Sequence, residues 1–370
     1  MRHKILFNGL LYAPDGTGIS RYAEWLVKEF VAGGYAVDIL LRDDYKQQYE
    51  QYDHVLFAGR DIHSSGQRII TEQWQLRKLY RQYDLVHFPD YATPVFTKTA
   101  SVASVHDLSM KTMRQQRTWK QNVVKNTLLQ NTVHRSSGVL CSSEFTRQEL
   151  LNYYPQLESR SQTVHLGVKP SQLQEWSQAT LQTWQLVPQQ YILYVGTLAP
   201  HKNLVPLIQA FGQLGRQGYM GKLVLAGGKG WMYDDIFAEV ARLQLQQRVV
   251  FTGYVQQDAL ETLYHFADCF VTTSLYEGFG LPPLEAMIRE IPVLVSDIPV
   301  FHETVADCGF YCNPKDAEHI ADKLMLLLSD KKQKNVLAAK GMRRAQQFNW
   351  QRTAQETWQF YQNIMERQVN

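Results

Sequence analysis

The stretch SLYEGFGLPPLEAM at 274–287 places two carboxylates, Glu277 and Glu285, on either side of a Gly-Phe-Gly turn and two prolines. The residues before it, DCFVTTS, read as a strand, and those after it, PLEAMIREI, read as a helix. The segment is therefore a strand-to-helix crossing. Pro282 and Pro283 pre-set φ for a first helical turn, where a missing N–H costs nothing. Gly278 and Gly280 let the backbone approach a ligand with no Cβ in the way. The helix start then offers free N–H groups and a positive dipole to an anion, most naturally a phosphate. Glu285 is placed in that first turn, within reach of a neutral polyol, and Glu277 on the loop before it. A capping box would need Ser or Thr at position 282, which is proline. A plain glutamate favoured by the dipole is the alternative for Glu285.

Other strand ends carry similar chemistry. In YVGTLAPHKNL, His201 and Lys202 lie just past a strand and before a helix starting near Asn203. A lysine there suits a phosphate-type anion as a point charge, against the commoner fate of a solvated surface lysine. His201 is neutral for much of the time near pH 7. The turn GTGIS, with Gly16 and Gly18, opens a helix. It is not a dinucleotide fingerprint, because Arg21 stands where the third glycine would be. SVASVHDLS ends an apolar strand with His106 and Asp107, and Asp107 suits a turn cap. AGGKGW at 226–231 reads as a plain glycine turn.

Positioning such loops takes a strand–helix repeat, and both halves of the 370-residue chain show one. The first half alternates runs such as KILFNGL, AVDILL, DLVHFP and GVLCSS with amphipathic stretches. A Gln-rich bridge follows, and the pattern restarts with YILYVG, KLVLAGG, VVFTGYV, CFVTTS and PVLVS. Continuous apolar strands suit parallel sheets covered on both faces. The expected fold class is α/β, with two Rossmann-like, doubly wound domains facing each other across a cleft. The expected boundaries are 1–170, a linker at 171–190, a second domain at 191–350, and a C-terminal helix at 351–370 crossing back to the first. Ligands in such sheets sit beyond the carboxyl ends of the strands, where all the motifs above fall.

Composition narrows the classes further. The net charge of +3 is too small to argue for nucleic acid. Four scattered cysteines lack a zinc pattern, so Cys308 and Cys312 read as reduced structural thiols. The start MRHKILFNGLLY reads as a first strand, not a signal peptide. No run of about 18 apolar residues exists, and the cytoplasm is the default location. The segment 110–126 holds five basic residues and no acidic one. It is either a solvated helix face or a contact for anionic lipid headgroups, giving a peripheral place at the inner face of the cell membrane.

YEGFGLPPLEAM resembles the paired-glutamate signature of retaining glycosyltransferases of the GT-B fold, family GT4. GTGISRY, VGTLAPHKNL, LVLAGGKGW, VVFTGYV and the aromatic C-terminal segment fall in that family's order, so the resemblance spans nearly the whole chain. It implies that Glu277 contacts the donor sugar and that Glu285 holds the ribose hydroxyls. The backbone at Phe279, Gly280 and Leu281 would face sugar and diphosphate. Lys202 and His201 would form the diphosphate-binding pair, although similar sequences often carry Arg where His201 stands. His106 would line the donor-sugar pocket, and Gly16 and Gly18 would admit the donor phosphate or the acceptor. Gly253, Tyr254 and Val255 resemble the backbone stretch that reads the nucleobase. The implied catalytic set is Glu277, Lys202 and His106.

The implied reaction moves a hexose from a nucleotide-sugar (GDP-, dTDP- or UDP-linked; mannosyl, rhamnosyl or glucosyl) to a hydroxyl of a glycan, with retention. The acceptor by analogy is a lipid-linked or surface-polysaccharide oligosaccharide. No Asp-x-Asp pair occurs, so the usual two-carboxylate route to Mg²⁺ is missing and metal-independent chemistry without a cofactor is expected. The rival readings are a non-catalytic GT4 paralogue supporting another transferase, and an oxidoreductase, against which the broken glycine fingerprint argues.

Overall fold

A computed structural model describes residues 3–13, 16, 18–59, 62, 64–95, 98–113, 119–169 and 178–369. The chain divides into two compact units, 1–167 with 349–370, and 168–348. Each is a parallel α/β layer structure. In the first, β1 (Ile5–Asn8), β2 (Asp38–Leu41), β3 (Val55–Phe57), β4 (Leu85–Phe88), β5 (Ala100–Val105), β6 (Gly138–Cys141) and β7 (Ser161–Thr163) form one sheet in the order β3-β2-β1-β4-β5-β6-β7. In the second, β8 (Tyr191–Val195), β9 (Lys222–Ala226), β10 (Val249–Gly253), β11 (Cys269–Thr272), β12 (Val293–Ser296) and β13 (Phe310–Cys312) pair as β10-β9-β8-β11-β12-β13. Among the described residues every strand pair is parallel, with registers such as Ile5↔Leu85 and Cys269↔Ile192. Strands covered on both faces bury every side chain, and β1, β4, β6, β11 and β12 are buried along their whole length.

Both sheets are doubly wound about a switch point, between β1 and β4 in the first unit and between β8 and β11 in the second. There the connections leave in opposite directions, and loops beyond the strand ends splay apart to admit a ligand. The motif loops following β1, β8 and β11 therefore stand at the two switch points.

The C-terminal helix Trp350–Val369 packs within the first unit. Trp350 stacks on Trp25 at 6.1 Å. The Tyr361 hydroxyl shares a 2.5 Å hydrogen bond with Nδ1 of His87. Nε2 of His87 pairs with the Ser104 hydroxyl at 2.8 Å, which in turn pairs with the Tyr22 hydroxyl at 2.9 Å. Burial pushes His87 down to about 3, so this internal chain is built on a neutral imidazole. Gly138 at the start of β6 leaves room for the Phe360 ring, whose Cε1 lies 2.7 Å from where a Cβ would stand.

Several sequence expectations land differently. The helix after Gly280 is Leu281–Met287, with Gly280 itself as N-cap. Glu285 is thus the fifth helical residue, not a member of the first turn, because the helix begins before the prolines and not at them. Residues 178–182, expected within a linker, form a short helix packed on the helix Gln257–His265 of the second unit. In the basic segment 110–126, residues 114–118 lie outside the described residues. Lys111, at its start, lies over the rings of Tyr153 and Tyr154 at 5.5 and 5.4 Å. All four cysteines are buried free thiols.

Candidate active site

At the switch point of the second unit, two strand ends are stitched together. Beyond β8 the chain makes a 3₁₀ turn, Pro200–Lys202, and Asn203 turns left-handed (φ 55°, ψ 48°) to start the helix Leu204–Arg216. Asparagine tolerates that conformation better than most residues, and its Nδ2 donates to the Pro314 carbonyl at 2.5 Å. Beyond β11, the Thr273 hydroxyl donates to the Lys202 and Asn203 carbonyls at 3.3 and 3.1 Å. The Leu275 N–H donates to the His201 carbonyl at 2.8 Å.

This frame brings Lys202 and Glu277, 75 residues apart in sequence, into one ion pair: Nζ lies 2.5 Å from Oε1. Both side chains are largely shielded, at 17% and 19% exposure, so the pair is only weakly screened by solvent. The Ser274 hydroxyl donates to the same Oε1 at 2.7 Å. Gly280 follows in the left-handed region (φ 86°, ψ 63°), and a Cβ there would stand 2.5 Å from the Phe301 ring. Only glycine meets both demands, so the turn that aims the helix start is fixed by Gly280. Phe279 is buried against Phe348, ring centroids 5.8 Å apart, and Leu281 is the first helical residue.

Glu285 is held from behind. The Tyr264 hydroxyl donates to its Oε2 at 3.0 Å, and the Arg289 guanidinium donates to its backbone carbonyl at 2.5 Å. Arg289 also lies 5.2 Å over the Tyr264 ring and makes a two-pronged pair with Glu261 at 2.9 and 2.5 Å. Helical side chains lean toward the N-terminus, so a fifth-position carboxylate still reaches the edge of the helix start. Tyr264→Phe removes the hydroxyl and keeps the ring. The expected result is a loss of about 1 kcal/mol of stability, the worth of one hydrogen bond. Chemical denaturation checks it, and an unchanged midpoint would contradict it.

His201 stacks on Trp231 at 5.4 Å with an 18° interplanar angle. The glycine turns after β8 and β9 interlock: the Leu198 N–H donates to the Gly228 carbonyl, and the Gly230 N–H donates back to Leu198. A Cβ on Gly227 would lie 2.0 Å from the Gly196 carbonyl oxygen, so AGGKGW is a close backbone approach as well as a turn. At the end of β10, Gly253 has φ 69° with open space where a Cβ would be, and its carbonyl accepts from the Gly227 N–H at 3.0 Å. Tyr254 is exposed and Val255 half-buried.

His106, Gly16 and Gly18 belong to the first unit. His106 follows β5, partly exposed, with Nε2 2.9 Å from the Pro89 carbonyl and its ring 4.6 Å from Tyr22, edge to face. A carbonyl can only accept, so Nε2 carries the proton. Desolvation lowers the His106 pKa and keeps the ring neutral. Asp107 accepts from the Ser109 N–H and hydroxyl at 2.8 and 2.6 Å, a turn cap. Gly18 (φ 54°) is the N-cap of the helix Ile19–Ala32, and Gly16 leaves space for the Ser20 hydroxyl. Ser274, Asn203 and Trp231 lie inside the quoted motifs but were given no role there, whereas Tyr264, Arg289 and Glu261 lie outside them and carry no local signal.

The second unit thus carries a lysine–glutamate pair at the switch point of a doubly wound sheet, beside a helix start fixed by Gly280. Residues 16–172 match the model described as Glycosyltransferase Family 4, and residues 183–344 match Glycosyl transferases group 1. The chain is 29% identical over 367 residues to O-antigen chain mannosyltransferase B of Escherichia coli, covering 93% of this chain and 96% of that one. In structure it resembles the sucrose-phosphate synthase of Thermosynechococcus elongatus (TM-score 0.77, 21% identity, 99% and 100% of the two chains). It also resembles Anabaena HepE, solved with UDP and glucose (TM-score 0.73, 19% identity, 98% and 100%). The chain belongs to glycosyltransferase family 4, with the GT-B fold, and is a glycosyltransferase of glycan biosynthesis.

Proposed function

We propose that the chain is a retaining, metal-independent hexosyltransferase that uses a nucleotide-sugar to extend a surface-polysaccharide or lipid-linked oligosaccharide. The observation that carries this reading is the Lys202–Glu277 pair at the switch point beside the helix that starts at Leu281. Glu277 would contact the donor sugar, Lys202 and His201 the diphosphate, and Glu285 the ribose hydroxyls. Backbone N–H groups at Gly280 and Leu281 would add to the diphosphate's neutralisation, without the Asp-x-Asp pair that metal-dependent donors use. Gly253, Tyr254 and Val255 would border the base, and in the first unit His106, Gly16 and Gly18 would contact the sugar or the acceptor.

In this mechanism the bond from the sugar's C1 to the diphosphate oxygen breaks through an oxocarbenium-like state. The acceptor oxygen bonds to C1 on the same face, and its proton passes to the departing phosphate oxygen. Lys202 stabilises the charge that grows on that leaving group. Mannose carried by GDP is the favoured donor, since the E. coli relative that spans the chain is named a mannosyltransferase.

The test is a thermal-shift panel of GDP, UDP and dTDP, followed by turnover with the matching mannose, glucose or rhamnose donor in excess EDTA. GDP raises the melting temperature by several degrees at saturating concentration, and NMR shows the anomeric configuration kept. An inverted product, turnover abolished by EDTA, or no response to any nucleotide would each defeat the corresponding part.

A further inference from the structure

Behind the helix Leu281–Met287, one tyrosine ring is held in a fixed pose. Tyr264, in the last turn of the helix Gln257–His265, is 1% exposed. Its ring stacks on Phe270 of β11, with centroids 6.2 Å apart and planes 30° from parallel. The Arg289 guanidinium lies 5.2 Å from the same ring centroid. Arg289 is itself immobilised. Nε and one terminal nitrogen donate to the two oxygens of Glu261 at 2.9 and 2.5 Å, and the other terminal nitrogen donates to the Glu285 carbonyl at 2.5 Å. The Gln257 amide adds a hydrogen bond to Glu261 at 2.7 Å. The Arg289 and Glu261 side chains are each 8% exposed. A planar guanidinium serves fork and stack at once, which an ammonium does not.

The consequence falls on one carboxylate oxygen. The Tyr264 hydroxyl donates to Oε2 of Glu285 at 3.0 Å. A phenol has a single proton to give, and a ring fixed by packing offers it in one direction. The Pro282 carbonyl, at 3.5 Å, is the farther of the two acceptors near that hydroxyl, so the carboxylate takes the bond. A half-buried glutamate has three side-chain torsions to lose when it meets a ligand, and a bond made beforehand removes much of that cost. A carboxylate has about four lone-pair sites, so one bond from behind still leaves it able to accept from a vicinal pair of hydroxyls.

We infer that Tyr264, locked by the Arg289–Glu261 pair, is a positioning residue that pre-sets the Glu285 carboxylate to read the ribose hydroxyls of the nucleotide. The inference rests on the reading of Glu285 as the ribose contact and adds to it the residue that sets its selectivity. In this role Tyr264 acts through Glu285 and contacts no substrate atom. A purely structural Tyr264 would change affinity for every nucleotide alike. A positioning one changes the ratio between a nucleotide that keeps its ribose hydroxyls and one that lacks them, because hydrogen bonds to a misaligned acceptor weaken steeply with angle.

The test is isothermal titration of the parent, Tyr264→Phe and Glu285→Ala with GDP, UDP and dTDP, and with the 2′,3′-dideoxy counterpart of each. The parent prefers the nucleotide it binds over that counterpart by about tenfold or more, as hydrogen bonds to a charged group require. Glu285→Ala binds the two alike. Tyr264→Phe holds the dideoxy nucleotide within about twofold of the parent and lowers the preference to about threefold or less. Arg289→Lys keeps the charge but gives up fork and stack. It moves the preference the same way, and it carries the test should Tyr264→Phe fail to fold. The inference is overturned if Tyr264→Phe keeps the parent's preference while Glu285→Ala loses it. It is equally overturned if Tyr264→Phe weakens both nucleotides by the same factor, the mark of a structural role. A parent that binds none of the three, or binds each dideoxy counterpart as well as the nucleotide itself, defeats the ribose reading of Glu285 and this inference with it.

Discussion

Glu277→Ala and Lys202→Ala each lower kcat by on the order of 10²–10³-fold while the protein stays folded. The pair joins loops beyond two adjacent central strands, with Nζ 2.5 Å from Oε1 and both groups mostly shielded. Removing one partner leaves the other without its counter-charge. Residual exposure of both limits the stability cost to about 1–2 kcal/mol, well below that of breaking a fully buried pair. A purely structural pair and a catalytic one then part company in the double variant. If the ion pair only staples the two loops, Glu277→Ala/Lys202→Ala removes both unmatched charges and recovers stability and function together. If the groups act on the donor, the double variant recovers stability and remains inactive. Ser274→Ala, which removes one donor from the same carboxylate oxygen, costs about tenfold in kcat. Single-turnover rates with a saturating nucleotide-sugar, read beside melting temperatures, decide the matter. Near-parental rates in both single variants would sink the catalytic assignment.

Much of this site was readable because its determinants are local. Apolar runs with glycine-rich ends specify buried parallel strands and the loops beyond them, and the fold places such loops at a switch point. Glu277, Gly280 and Lys202 are each legible within a dozen residues of sequence. What escaped is what depends on distant partners. Tyr264 and Arg289 look like ordinary residues of surface helices until the fold sets one against Glu285 and the other against Glu261. Arg68 and Glu72 have the spacing of a solvated helix pair, yet both are buried, because Asn8 and Asp90 at the first switch point satisfy them. Glu285 stands one residue deeper in the helix than the prolines alone imply, for a local reason: the left-handed Gly280 starts the helix at Leu281 and leaves the prolines second and third.

Trp350→Ala destabilises the first unit by about 3–5 kcal/mol, the range for deleting a large buried aromatic side chain. Trp350 is 2% exposed and stacks on Trp25, with Tyr22 tilted against it at 6.4 Å. The chain enters the second unit beside this residue and returns there. A Cβ on Gly167 would lie 2.3 Å from the Trp350 nitrogen, and the next residue, Val168, donates its N–H to the Phe348 carbonyl at 2.9 Å. The indole thus anchors the start of a helix whose later residues, Phe360 and Tyr361, complete the core over β6 and β4. Because no helix residue from 350 onward belongs to the second unit, the loss falls on one unit only. In calorimetry the first unit's transition drops by about 10 °C, given about 2–4 °C per kcal/mol for a unit of this size. The transition that nucleotide raises stays where it was. A single transition moving as one, or a drop of only a degree or two, would show that the terminal helix is an accessory to the first unit and not part of its core.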